Sequence, residues 1–269
     1  MSNTEIALNK MNLLNSTYKC RDCRDSGFIG VWKSTPYTKA LYGDNRKLLF
    51  SAPCPYCSGN KDGIIYEMIE RAGIPEQYKN CRYKDFKWEI YKNKNDKTVN
   101  TANQKKLVDS IIKDFPLWAD KGIGLYINSS LRGTGKTFLA SCIGNEIIYK
   151  HQKGVRFLSA CDLIEKVKNE DLFMSFKTCK VLILDDIGSK ITAQEYVNDI
   201  LFSLIEHRYQ HKLVNICTSN IPLSDLLVDD RIISRLEKTT QNLPLPEYSV
   251  RHLEASTEKM ELFNQLNLF

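Results

Sequence analysis

No run of apolar residues in this 269-residue chain is long enough to cross a bilayer as a helix, so a helical membrane span is excluded. Its first residues, Met1-Ser-Asn-Thr-Glu-Ile6, lack a basic stretch followed by an apolar one, the pattern of a secretory leader, and a cytoplasmic location is expected. Proline (8) and glycine (13) are too few and too scattered for a fibrous or low-complexity segment, and there is no internal repeat. The 4 histidines are read as showing no ligand spacing with each other or with cysteine. Cysteine is plentiful at 9, but in a cytoplasmic chain that number argues for metal ligands and small core residues, not disulfides.

The length suits one large domain or two modest ones. Net charge is +6, and it is unevenly distributed: residues 1–118 hold 20 Lys and Arg against 13 Asp and Glu, whereas 119–269 hold 18 against 19. The basic excess therefore precedes residue 119, where it is either solvated surface or a contact for nucleic acid or an acidic protein.

The strongest signal is Ser130-Leu-Arg-Gly-Thr-Gly-Lys-Thr137, preceded by the apolar run Leu125–Asn128 and followed by a helical pattern. Strand, glycine-rich loop and helix in that order make a phosphate-gripping loop. Gly133 and Gly135 let backbone N–H groups turn inward, and the helix N-terminus adds positive potential. Lys136 reaches the β- and γ-phosphates, and the Thr137 hydroxyl ligates Mg²⁺. Ser130, Gly133, Thr134, Gly135, Lys136, Thr137 and Phe138 are the candidate nucleotide-binding residues. Ser130 stands where the usual pattern begins with Gly, a position that mainly shapes the turn. The alternative is a glycine-rich helix start with no ligand.

A second element supports the first. Val181-Leu-Ile-Leu184 reads as a strand buried on both faces, and it ends in Asp185-Asp186. Carboxylates at the C-terminal end of a buried strand sit where an open α/β sheet binds ligands. Asp185 is expected to hold Mg²⁺ and Asp186 to orient and deprotonate the attacking water. After the next strand comes Thr218-Ser-Asn220, with Asn220 a candidate for sensing the γ-phosphate or the water. Asp230-Arg-Ile-Ile-Ser-Arg235 puts Arg231 and Arg235 on one helical face. Arg235 is the candidate finger into a neighbouring subunit's site, and Arg231 would orient nearby.

Ahead of these lie Cys20-x-x-Cys23 and Cys54-x-x-Cys57, separated by 30 residues. Two such knuckles can place four thiolates around one Zn²⁺; four free thiols or a redox pair are the alternatives. Cys81, Cys142, Cys161, Cys179 and Cys217 read as small buried residues. Organisation follows: a short helix in 1–17, with Ala7, Met11 and Leu14 at helical spacing, and a zinc module over 18–60 with Phe28, Trp32, Tyr37 and Tyr42 as its core. Next come a helix over 61–80, a polar loop at 91–97 and a helix over 101–115 stopping at Pro116. From 119 the chain alternates: strand 124–128, helix 136–150, strand 155–159, helix 161–169, strand 180–184, helix 192–210 and strand 213–218. The class is α/β, a parallel sheet flanked by helices. The divisions are a zinc-binding domain (1–80), a linker with a lead-in helix (81–118) and an ATPase domain (119–269).

The set GTGKT (133–137), LILDDIG (182–188), TSN (218–220) and RIISRL (231–236) resembles the AAA+ ATPases of the DnaC/DnaI and IstB type. Ala72-Gly-Ile-Pro-Glu-Gln-Tyr78 with Asp85-Phe86 is similar to the lead-in of that family, and the paired knuckles resemble the zinc module of DnaI-like loaders. This resemblance implies an ATP-dependent loader of the replicative hexameric helicase (DnaB type). Residues 1–80 would grip the helicase, and the ATPase domain would bind ATP, self-associate and contact single-stranded DNA. It also implies a sensor role for Arg251 in Ser249-Val-Arg251. The chain departs from the family in the residues after Arg235, too few for a full lid, and in Asp186, where many AAA+ ATPases carry Glu, so a reduced lid and slow turnover are expected. The tail from 252 reads as one amphipathic helix. An IstB-like transposition helper acting on duplex DNA, or a nucleotide-gated adaptor with little hydrolysis, are the competing readings. Chromosomal and phage or mobile-element origin both remain open.

Overall fold

A computed structural model describes residues 28–33, 48–53, 61–93, 95–188 and 195–251, which fall into two units, Met1–Glu67 and Met68–Phe269. In the first, β1 (Phe28–Lys33) and β2 (Leu48–Pro53) form an antiparallel pair with Phe28 opposite Pro53 and Lys33 opposite Leu48. Their aromatic and β-branched content suits a pleated ladder, and Pro53 takes the terminal place where a missing N–H costs least. Cys20, Cys23, Cys54 and Cys57 lie outside the described residues, as do the helices expected within 1–17 and after 252. Among the described residues no three His, Cys, Asp or Glu side chains converge as a metal site, and no helix is long and apolar enough to cross a membrane.

Helix α1 (Lys61–Ala72) ends before the expected 61–80 range does, at the Gly73-Ile-Pro75 stretch expected to close it. Gly73 at φ 70° and Pro75 end it, and only a short 3-10 turn, Glu76–Tyr78, follows. The segment beyond is anchored on α4 (Lys136–His151): Asn145 Nδ2 donates to the carbonyls of Tyr78 (3.0 Å) and Cys81 (2.8 Å), and Arg82 Nε pairs with Glu146 (2.9 Å).

Helix α2 (Ala102–Lys113) stops where expected, but Pro116 does not end helical structure. It sits in the first turn of α3 (Phe115–Lys121), where its absent N–H has no partner to lose. Strands β3 (Gly124–Asn128), β4 (Val155–Ser159), β5 (Val181–Ile187), β6 (Val214–Ser219) and β7 (Thr240–Pro244) build one sheet in the order β4-β5-β6-β3-β7, every neighbouring pair parallel. The helix expected over 161–169 is instead a 3-10 turn and one helical turn, α5 (Leu163–Lys166). A further helix, α6 (Glu170–Thr178), is capped by Asn169, which accepts from Leu172 N–H at 2.9 Å. Helices α7 (Glu195–Gln210) and α8 (Asp230–Thr239) are the last two among the described residues. Strand β7 was not expected, because Thr-Gln-Asn-Leu-Pro carries almost no strand signal; its place is set by the β3 edge it pairs with.

Alternation along the strands divides the core in two. Leu182 and Leu184 point to the face covered by α7, whose Val197, Leu201, Leu204 and Ile205 recur at helical spacing. Ile183 points the other way, against Gly144 of α4, a helix buried continuously from Leu139 to Ile148. Cys142 and Cys217 are buried as expected, but Cys81 and Cys179 are only half-buried and Cys161 is exposed in the 3-10 turn that follows β4. Arg208 is fully buried. Its guanidinium donates to the carbonyls of Phe176 (2.7 Å), Cys179 (3.0 Å) and Val214 (2.6 Å) and to Asn215 Oδ1 (2.6 Å), satisfying the C-terminal end of α6 and the start of β6.

Candidate nucleotide site

The strand order sets the C-terminal ends of β3, β5 and β6 side by side in the middle of the sheet. From those three ends come Ser130–Thr137, Asp185-Asp186 and Asn220. Gly133 (φ 77°) and Gly135 (φ 87°) both adopt left-handed backbone, and α4 begins immediately after, at Lys136. The loop closes on itself: Lys136 Nζ donates to the carbonyls of Ser129 (3.1 Å) and Leu131 (3.0 Å) and to Thr134 Oγ1 (3.3 Å). Burial lowers the pKa of this ammonium, opposed by the nearby carboxylates of Glu247, Asp186 and Asp185.

Asp185 Oδ1 accepts from Thr137 Oγ1 (2.8 Å) and from Thr218 Oγ1 (2.7 Å). Burial raises its pKa, and the two hydroxyl bonds hold part of that rise back. The β5–β6 register shifts between Leu184 and Ile187, and Asp186 takes a left-handed conformation (φ 58°). This bulge turns the second carboxylate aside from the first. Asp186 N–H donates to Thr218 Oγ1 (2.9 Å), and Asn220 Nδ2 donates to Asp186 Oδ1 (2.9 Å). A hydroxyl and a carboxylate 2.8 Å apart at the foot of a glycine-turned loop fit a hard divalent cation and a phosphate above it.

Aromatic residues from the preceding segment cover one side. Tyr91 Oη donates to the Thr134 carbonyl (2.7 Å), and Phe86 stacks on Phe138 with ring centroids 6.0 Å apart. Residues 245–251 also run against the loop, with Val250 near Gly135 beside Phe86 and Tyr91. Leu245 N–H donates to Asn128 O (2.7 Å), and the N–H groups of Val250 (2.8 Å) and Arg251 (3.3 Å) donate to Gly133 O. Arg251 thus lies beside the loop. Glu247 spans Ser129, Ser130 and Leu131.

Arg235 and Arg231 are elsewhere. Arg235 Nε donates to Glu206 on α7 (2.7 Å) with its guanidinium over the Tyr209 ring, and Arg231 is held by Asp229 (2.7 Å) at the start of α8. Thr218, Tyr91 and Glu247 were not singled out by the sequence. Thr218 carried a signal, since it lies within the polar strand exit that pointed to Asn220. Tyr91 and Glu247 carried none, because their roles depend on chain segments meeting across the fold.

Residues 127–251 match the family described as IstB-like ATP binding protein. The replicative helicase loader DnaC of Buchnera aphidicola subsp. Schizaphis graminum is 26% identical over 189 residues, covering 66% of this chain and 71% of that protein. The crystal structure of DnaI superposes with a TM-score of 0.54 at 18% identity, over 68% of this chain and 98% of that one. The crystal structure of the DnaC helicase loader gives 0.53 at 21% identity, over 64% and 99%. The shared fold is a parallel sheet flanked by helices.

Proposed function

We propose, from the premise that this chain carries an IstB/DnaC-family domain of the DnaC/DnaI type, that it is an ATP-dependent loader of a replicative hexameric helicase onto single-stranded DNA. The observation that carries the reading is a pairing: likeness to a helicase loader over 66% of the chain, and a glycine-turned loop meeting two carboxylates and an amide at adjacent strand ends.

In this reading the inward N–H groups of Gly133, Thr134, Gly135 and Thr137 grip the phosphates, with Phe138 beside them. Lys136 exchanges its loop carbonyls for phosphate oxygens. Mg²⁺, held by Thr137 and Asp185, would neutralise charge on the β- and γ-phosphates. Asp186, oriented by Asn220, accepts the proton of the attacking water. Arg235 leaves Glu206 to enter a neighbouring subunit's site, so hydrolysis depends on self-association, and Arg251 reads the phosphates from the strap that residues 245–251 lay along the loop. Cys20, Cys23, Cys54 and Cys57 hold Zn²⁺ within residues 1–80, the part that grips the helicase.

Steady-state ATP turnover tests the enzyme. Wild type is expected to turn over and Asp186→Ala to fall to background while still binding ATP. Background turnover in both would leave a nucleotide-gated adaptor. The IstB-like description of residues 127–251 supports a second reading, a transposition helper on duplex DNA; preference for double- over single-stranded DNA in a binding assay would favour it.

A further inference from the structure

We infer that Glu247 is a positioning residue of the nucleotide site, clasping the first turn of the phosphate loop, and that Ser130 is the loop's own half of that clasp. The inference rests on the ATP-site reading above. Each carboxylate oxygen of Glu247 takes one backbone N–H and one hydroxyl. Oε1 accepts from Ser130 N–H (2.8 Å) and Ser129 Oγ (3.1 Å), and Oε2 accepts from Leu131 N–H (2.8 Å) and Ser130 Oγ (2.7 Å).

Bonds of this kind to a charged acceptor are short and directional. Glycine at position 130 would keep the N–H and lose the hydroxyl, so the departure from the usual loop pattern completes a bidentate grip. The clasp lies between two other fastenings of residues 245–251: Leu245 bonded to Asn128, and Val250 and Arg251 bonded to Gly133. At Gly133 itself a Cβ would lie 2.8 Å from Ser249 Oγ, so the strap runs against the loop backbone. The loop's inward N–H groups work only if their geometry is fixed before the phosphates arrive, and fixing an exposed loop beforehand removes ordering entropy from the binding step.

The test is a double-mutant cycle on binding of a non-hydrolysable ATP analogue by calorimetry, with Glu247→Ala, Ser130→Gly and both together, thermal melts verifying folding. Losing charge-assisted bonds of this type predicts affinity down by about tenfold in Glu247→Ala, about threefold in Ser130→Gly, and no further loss in the pair. In turnover, Glu247→Ala raises the half-saturating ATP concentration more than it lowers the saturated rate. Glu247→Gln, whose amide oxygen keeps one backbone N–H while its amide nitrogen faces the other, recovers only part of the loss. Affinity of folded Glu247→Ala within twofold of wild type, or losses that multiply in the pair, would overturn the clasp. No analogue binding by wild type would overturn the ATP reading, and the inference with it.

Discussion

Thr218 does two jobs with one hydroxyl: it donates to Asp185 Oδ1 and accepts the N–H of Asp186. Replacing it by valine keeps the shape and removes both bonds. Asp185 already has a raised pKa through burial, and losing a donor to its charged form raises it further. A raised carboxylate protonates at higher pH, so the acid limb of the rate profile of Thr218→Val should move to higher pH than that of wild type. At neutral pH, losing one bond to a charged group predicts turnover lower by about 10- to 100-fold with ATP affinity nearly unchanged. An unshifted acid limb would contradict the role given to this hydroxyl. Arg208 illustrates a residue that sequence could not place. In His207-Arg-Tyr-Gln-His211 it looks like surface charge, yet it is buried and donates to three carbonyls at the end of α6 and the start of β6. Arg208→Met should lower unfolding free energy by about 3–5 kcal/mol in a denaturant titration, with Lys a poor substitute because an ammonium cannot copy the fork.

At the level of elements, α8 owes its start to Asp229, whose carboxylate accepts from Arg231 N–H (2.8 Å) and pairs with the Arg231 side chain. The Arg231 contacts hold its pKa at about 2, below the ordinary 3.8. A depressed carboxylate contributes stability above its unfolded pKa and loses it as pH falls through the folded one. Wild type should therefore lose melting temperature between about pH 4 and 2, and Asp229→Asn, which still caps but cannot pair, should lose less over that window. Equal slopes would show that the pair contributes nothing. The motif-bearing elements were legible in sequence because each rests on a local run: β3 to its last residue, β5 through its apolar core, α4 through its glycine start. What was not legible depended on neighbours. Strand β7 is polar and exists because β3 offers an open edge, and the bulge at Asp186 follows from the register of β5 on β6. The break after Lys166 and the new start at Glu170 turned on an Asn169 cap that the expected helix had run through.

For the whole molecule, the central proposal divides labour between two regions. Residues 1–118 carry the basic excess, and 119–269 are nearly balanced in charge. On the proposed finger role, the Arg235–Glu206 pair would have to open on self-association. Arg235→Ala should then bind ATP as wild type does, yet hydrolyse it slower by about 10³-fold or more once self-associated. Normal hydrolysis by that variant in the assembled state would remove the finger assignment. The most direct test of the loader reading is co-elution of the purified full chain with its host's replicative helicase in ATP and in ADP, with Lys136→Ala alongside. The account predicts a stable complex with ATP that weakens with ADP and in the Lys136 variant; no complex in either nucleotide state would contradict it.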